Sequence, residues 1–274
     1  MKKISFEESK KIELDILKFV ASVCDKHNIP YYLAYGTLIG AIRHKGFIPW
    51  DDDIDIQMTY EDSQKFYEIM KTECQGTPYK MISPKQKGAI HNFFKVVDTR
   101  TIKKEMGFEK SSVDYGVDID IFSLTGTPDD FEVFKDLYAK IRKLTINLRI
   151  KKQNLHGSWK NKVLLILNKI KLLFVSKKKL ANKIHELRFK YHSPDSEYVS
   201  VIEGCYSAKA GRGRRGWYRD TVDVDFEGLK FKAPIDYHEV LTACFGDYMT
   251  PPPVSEQTPH HVNNMFWKDG YGEE

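Results

Sequence analysis

Four aspartates stand almost side by side in the stretch GFIPWDDDIDI, residues 46–56: Asp51, Asp52, Asp53 and Asp55. Like charges at this density repel, and a carboxylate crowded by others is driven toward protonation. The run ends in an alternation of Asp with Ile, and on a strand alternate side chains share a face. Asp53 and Asp55 are therefore expected to point one way, with Ile54 and Ile56 packed behind them. Asp51 joins them if the strand extends back that far, and Asp52 should point away. Hard oxygen ligands suit Mg²⁺, or alternatively Mn²⁺; the plain alternative for a DDD triplet is a solvated acidic loop. A second alternation, YGVDIDIFSL, sets Asp118 and Asp120 among Val117, Ile119 and Ile121. If that strand lies beside the first, one of its carboxylates completes a three-acid site of the kind that organises two-metal phosphoryl or nucleotidyl transfer.

Upstream, YGTLIGAIRHKGF places Gly36 and Thr37 where a strand gives way to a helix. Glycine at a helix N-terminus attracts phosphate, and a plain strand-to-helix turn is the alternative. The spacing from Gly36-Thr37 to Asp53-x-Asp55 resembles the Gly-Ser/Thr … Asp-x-Asp signature of the nucleotidyltransferase, or polymerase-β-like, fold. The whole block YGTLIGAIRHKGFIPWDDDIDI, followed by DIDIF and later by FGDYMTPPP, resembles the LicD family of phosphocholine transferases. The eukaryotic relatives of that family include the fukutin and fukutin-related phosphotransferases. The resemblance runs from about Lys26 to Pro253 and is weaker through a basic middle segment.

The resemblance implies a nucleotidyltransferase-like core that moves a phospho-alcohol, typically phosphocholine, from a CDP-activated donor such as CDP-choline to a sugar hydroxyl. The acceptors would be surface glycans such as teichoic acid or lipopolysaccharide. It further implies that Asp53 and Asp55 are the metal pair, that Asp51 is a further acid, and that Asp120 is the third ligand with Asp118 in reserve. Asp51 or Asp118 would then take the proton of the attacking hydroxyl. Gly36 and Thr37 match the phosphate-side turn, and Arg43 and Lys45, ahead of His44, are placed to hold the diphosphate. Lys95, in FFKVVDTRT, either reaches the donor phosphates or is an edge-strand lysine. Trp50 is expected to pack beneath the acidic loop rather than stack on the nucleotide. Two departures stand out: Ser123 follows DIF where the family has proline, and TPPPVSEQTPHH replaces the usual continuation, with His260 and His261 open to a base or phosphate role. GRGRRGWY offers Arg212, Arg214 and Arg215 as a loop able to close on an anion. Trp217 and Tyr218 are the nearest aromatic choices for a choline cage.

These residues need elements to hold them. Ser5 and Glu8 form a capping-box pattern, and Ile12, Ile16, Phe19, Val20 and Val23 recur at helical spacing until Asn28-Ile29-Pro30. YYLAYG reads as a strand, TLIGAIRHKG as a short helix, DIDIQM as a strand and 60–74 as a helix. Further strands are expected at 92–98 and 116–122, so the fold class is α/β with a mixed sheet. Residues 129–192 are helical in pattern and interrupted near NLHGSW, and the remainder returns to mixed structure. The prolines of MTPPPVSEQTPHHVNN exclude regular helix or central strand there. The expected organisation is a catalytic core at 1–128, a basic helical insertion at 129–192, and a C-terminal part at 193–274 that completes the site.

An apolar fraction of 41% with 13% aromatics excludes a disordered chain. No stretch has the pattern of a signal peptide or a spanning helix. Four cysteines without a CxxC pair fit reduced thiols in the cytoplasm. Between Leu137 and His185 lie fourteen Lys or Arg and no Asp or Glu, so a chain of net charge +5 is acidic everywhere else. Within that segment WKNKVLLILNKIKLLFVSKKK is lysine-rich and amphipathic. Residues 140–183 either bind an anionic membrane surface at the cytoplasmic face, where a lipid-linked acceptor would lie, or pack their Leu and Ile on the core. No nucleic-acid motif accompanies the charge, so nucleic acid is not expected as a partner. Two rival functions remain: a nucleotidyltransferase moving NMP from an NTP, and a non-enzymatic membrane-surface adaptor.

Overall fold

The computed structural model describes residues 1–104, 107–108, 111–202, 207–259 and 264–272, so His260, His261 and Cys205 lie outside the described residues. The chain opens with α1 (Phe6–Lys26), whose capping box forms as expected: the Ser5 hydroxyl accepts from the Glu8 N–H, and the Glu8 carboxylate accepts from the Ser5 N–H. Then come β1 (Tyr32–Leu33), α2 (Tyr35–Ile39) running into a π-helical turn (Gly40–His44), β2 (Asp55–Thr59), α3 (Tyr60–Glu73), β3 (Tyr79–Ile82), β4 (Phe94–Asp98), β5 (Thr101–Lys104) and β6 (Asp118–Gly126). The main sheet runs β1-β2-β6-β4-β3; β2 and β6 are parallel, and the other pairs are antiparallel.

Alternation divides this sheet into an apolar and a polar face. Ile56 and Met58 of β2, Ile119 and Ile121 of β6 and Val96 of β4 are fully buried with Ile16, Leu17 and Val20 of α1 and Phe66 and Met70 of α3. Burial of that many aliphatic side chains, at about 1.5–3 kcal/mol each, sets the register of the strands. The opposite face then has to carry the intervening residues: Asp55 and Gln57, Asp118, Asp120 and Phe122, and Lys95.

Residues 131–189 form α4 (Phe131–Lys152), α5 (Trp159–Lys171) and α6 (Lys177–Phe189), each opened by an N-cap side chain: Asp130, Ser158 and Ser176. α4 and α6 share a second core of Phe134, Leu137, Tyr138, Ile141, Leu148, Leu180 and Ile184. α5 buries Leu165 alone, so its Leu and Ile side chains do not pack on the core. Beyond it, β7 (Tyr198–Ser200) pairs with the end of β6 and with β8 (Arg212–Arg214). β9 (Thr221–Phe226) and β10 (Leu229–Pro234) make a hairpin closed by Glu227 and Gly228, both at positive φ as a two-residue turn requires. α7 (Tyr237–Phe245) follows, and β11 (Asn264–Trp267) pairs with β5. No described helix is long and apolar enough to cross a membrane.

The strand expected over YYLAYG shrinks to two residues, because Tyr35 already turns into α2 at φ 45°. Its ring meets Phe122 edge-on at 5.4 Å. β3, β5 and β11 were not anticipated: each has four residues, too few for a period to emerge.

Candidate active site

The polar face of the sheet converges where β2, β6 and β4 lie side by side. Asp55 is the register partner of Asp120 across the parallel β2–β6 pair, and Lys95 is the partner of Asp120 across the antiparallel β6–β4 pair. Three charged groups from three separate segments thus meet on adjacent strands. The Asp55 backbone N–H donates to Thr37 Oγ1 at 2.9 Å, which ties α2 to the first residue of β2. Gly36 lies directly against Asp51: a Cβ there would overlap the Asp51 carboxylate. The Gly-Thr pair therefore serves the acids themselves. The Thr37 hydroxyl accepts from Asp55, and α2 runs on directly into the π-helical turn Gly40–His44.

Asp55 is buried, and its carboxyl is raised well above the ordinary range by burial first, then by Asp53, Asp120 and Asp51, with Lys95 opposing. Asp53 and Asp51 are half-buried in the segment leading into β2, and Ile54 is fully buried behind them. Asp52 is also buried, which removes the solvated-loop reading of the triplet; its charge acts on Glu13. Asp118 is enclosed, with Lys95 Nζ 2.6 Å and Lys103 Nζ 2.5 Å from its two oxygens. Those two lysines hold its carboxyl far below the usual carboxylate range despite burial. A carboxylate so held is a poor proton acceptor, which speaks against the expectation of Asp118 as the base.

Lys95 is not an edge lysine, since β4 lies between β6 and β3. Its buried ammonium bridges Asp118 and Asp120 and is held protonated by them, against the opposing cost of burial. It neutralises acids instead of reaching freely into solvent. Arg43 donates to the Tyr248 carbonyl at 2.6 Å, anchoring the π-helical turn to the FGDYM segment. Lys45, left-handed at φ 61°, is exposed, accepts at its carbonyl from the Glu227 N–H and adds, after Lys230, to the lowering of the Asp225 carboxyl. Trp50 packs on the core and meets His44 edge-on at 6.2 Å, as packing beneath the loop requires.

The Gly/Arg stretch is equally committed. Arg212 donates to the Pro128 and Asp129 carbonyls and lies 3.6 Å over the Tyr198 ring. Arg215 donates to the carbonyls of Ser196 and Ser193, and Arg214 pairs with Glu197 at 3.7 Å. Tyr35, Trp217 and Tyr218 do gather around Gln57, but the space among them is about 20 Å³, room for one water and not for a quaternary ammonium. Ser123 uses its hydroxyl to pair with Ser63 of α3 at 2.7 Å, a contact that proline could not make.

A profile described as LicD/FKTN/FKRP, nucleotidyltransferase domain, matches residues 28–105, which span α2, the acidic run, Lys95 and Lys103. The lipopolysaccharide cholinephosphotransferase LicD of Haemophilus influenzae is 31% identical over 270 residues, covering 97% of this chain and 99% of that protein. The chain belongs to the LicD family. The ribitol 5-phosphate transferase FKRP of human is 29% identical over 79 residues, 29% of this chain and 16% of that protein. An uncharacterised protein of Rickettsia typhi is 39% identical over 71 residues, 26% of this chain and 23% of that protein.

This LicD-family chain also uses two residues that the motifs did not reveal. Glu13 of α1 is fully buried, neither of its carboxylate oxygens has a hydrogen-bond partner among the described residues, and burial raises its pKa, with Lys103 opposing and Asp53, Asp118 and Asp52 adding to it. Lys103 is the second cation on Asp118. Glu13 was detectable in principle: it sits at i−4 from Leu17, on the apolar stripe of α1, where a carboxylate has no ordinary reason to be. Among the described residues no group of three or more His, Cys, Asp or Glu stands arranged around a metal position. The fit to a hard cation rests on Asp55, a buried carboxylate crowded by three acids; Asp120 would share itself with Lys95.

Proposed function

We propose that this protein is a phosphotransferase that moves a phospho-alcohol, with phosphocholine favoured, from a CDP-activated donor to a hydroxyl of a glycan such as lipopolysaccharide or a teichoic acid precursor. The observation that carries this is the pairing of Asp55 with Asp120 on adjacent parallel strands, beside Asp53, Asp51 and the Lys95 bridge. The cholinephosphotransferase name of the full-length relative supports the choice of group, and the matched profile supports a nucleotidyltransferase-like core.

In this reading Asp53, Asp55 and Asp120 hold Mg²⁺, or Mn²⁺ in its place. The ion supplies charge neutralisation at the donor diphosphate. Thr37 fixes the backbone of Asp55, and Gly36 lets Asp51 approach the same turn. Lys95 and Lys103 absorb the charge of Asp118, and Lys95 orients Asp120, so the acids present a defined edge. Asp51, half-buried at the mouth of the cluster, accepts the proton of the attacking sugar hydroxyl. The hydroxyl oxygen bonds to the alcohol-bearing phosphorus as its bond to the bridging oxygen breaks, and CMP departs. Arg43 reaches the donor only if the Tyr248 carbonyl releases it.

α5 supports a place at the membrane. Opposite its buried Leu165, Trp159 (71% exposed), Val163, Ile166, Leu167 and Ile170 form an outward stripe at helical spacing, with Lys160, Lys162 and Lys171 beside it and Phe174 (97% exposed) in the turn that follows. An apolar face edged by lysines, with no acid between Leu137 and His185, is complementary to an anionic leaflet. Peripheral attachment at the cytoplasmic face would bring the enzyme to a lipid-linked acceptor.

The experiment is to incubate the protein with Mg²⁺, an oligosaccharide acceptor and a panel of CDP-alcohols, and to identify the small product. CMP release with phosphocholine on the acceptor is expected. Pyrophosphate release from an NTP would replace the proposal with nucleotidyl transfer, and inertness toward every donor would leave a membrane-surface adaptor.

A further inference from the structure

A cavity of about 950 Å³ opens between the β4–β6 end of the sheet and the α4–α6 helices. Its walls carry two aromatic pairs, Phe93 with Phe122 at 4.6 Å and Tyr60 with Phe189 at 4.6 Å. Around them stand Lys85, Lys152, Lys177 and Arg188, and among the described residues lining the cavity none is acidic. The cations crowd one another: burial and Lys177 lower Lys152, and burial, Lys85 and Arg188 lower His185. Burial also brings Arg188 down to about 10. Positive groups gathered without acids against aromatic walls describe a site for an anion with a carbon body.

We propose that this cavity binds an organic phosphate, a phosphate ester carried on a sugar or acyl body. Its volume is near the top of the roughly 300–1,000 Å³ range of small-molecule sites, more than a phosphocholine group needs. The cavity adjoins the acid cluster through shared residues: Phe93 lies 5.3 Å from Lys95 Nζ, and Phe122 is two residues from Asp120 on the same face of β6. We therefore assign it to the acceptor side of the reaction, an assignment that rests on the proposed transfer, whereas the binding itself does not.

The test titrates the whole protein with octyl phosphate, glucose 6-phosphate, octyl glucoside and inorganic phosphate, read by calorimetry and thermal shift. One of the two phosphate esters should raise the melting temperature by at least about 4 °C near saturation and bind at least tenfold more tightly than octyl glucoside or inorganic phosphate. Whichever ester is tighter identifies the body as acyl or saccharide. Lys152→Gln combined with Lys177→Gln should weaken that ester at least tenfold, and so should the exposed-rim variant Lys85→Glu, which does not touch the core. Affinity for CDP-choline with Mg²⁺ should stay within twofold in both. Failure of both esters to bind, equal binding of octyl glucoside, or affinity unmoved by both variants overturns the site. Ester binding that responds to the variants in a protein that turns over no CDP-alcohol supports the site and refutes the transfer.

Discussion

Replacing Asp55 by Asn should make the metal-free protein more stable while removing its function. Asp55 and Asp120 are register partners, which places their backbones about 4.8 Å apart. Two like charges at about 5 Å repel by roughly 3 kcal/mol at an effective dielectric near 20. Asp55 meets Asp53, Asp120 and Asp51, while Lys95, which opposes them, is shared with Asp118 and Asp120. After that offset, and with partial protonation relieving some of the rest, the wild-type site retains a strain of about 1–3 kcal/mol at neutral pH. Asn keeps the shape and loses the charge. In EDTA, scanning calorimetry should show the variant melting several degrees above wild type, at about 2–4 °C per kcal/mol for a chain of this size. With Mg²⁺ at a hundred times its Kd, wild type should gain about 2.7 kcal/mol, the variant far less, and the order of stability should invert. Turnover of the CDP-alcohol should be lost. An Asn variant that melts below wild type in EDTA, or an equal Mg²⁺ shift in both proteins, refutes the reasoning.

Other perturbations test the neighbouring parts. Gly36→Ala drives a Cβ into the Asp51 carboxylate and should cost about 1–3 kcal/mol of stability; adding Asp51→Ala should restore the melting temperature without restoring turnover. Glu13→Gln removes a buried carboxyl whose folded-state pKa lies above its unfolded value, so wild type loses stability as pH rises from the ordinary glutamate range toward that raised value. The variant should match wild type near pH 4 and exceed it by about 1–3 kcal/mol at pH 8, and a pH-independent difference in urea titrations would contradict this. Leu167→Glu with Ile170→Glu removes two exposed apolar side chains worth about 1.5–3 kcal/mol each when buried. Co-sedimentation with phosphatidylglycerol vesicles should fall by roughly a hundredfold, and a wild-type chain that ignores such vesicles, or self-associates through this face, removes the membrane reading.

Local pattern carried much of the architecture. The Asp/Ile alternations at 53–56 and 118–121 marked two strands because burial on one face forces a period of two, and the α1 capping box and apolar stripe marked the first helix. Family resemblance then singled out Asp53, Asp55 and Asp120 from the other acids, which composition alone could not do. Long-range pairing was legible only as a condition: β6 had to lie beside β2 for Asp120 to matter, and nothing local to either strand states that neighbour.

Tertiary structure decided the rest, because charge partners are chosen across strands and not along them. Lys103 closes on Asp118 alone, while Lys95 bridges it to Asp120, two residues away on the same face. Thr37 and Gly36 turn out to serve Asp55 and Asp51, and Arg43 is given to the Tyr248 carbonyl. The apolar residues of α5 could equally have packed inward or faced out; the choice was made when α4 and α6 filled the second core with their own side chains. By itself, then, the sequence determined which residues carry charge, how α1, β2 and β6 face, and which family they resemble. Only the fold determined which charges meet, since that depends on the order of strands in the sheet, and the strand order is settled by burying the apolar face of the whole molecule at once.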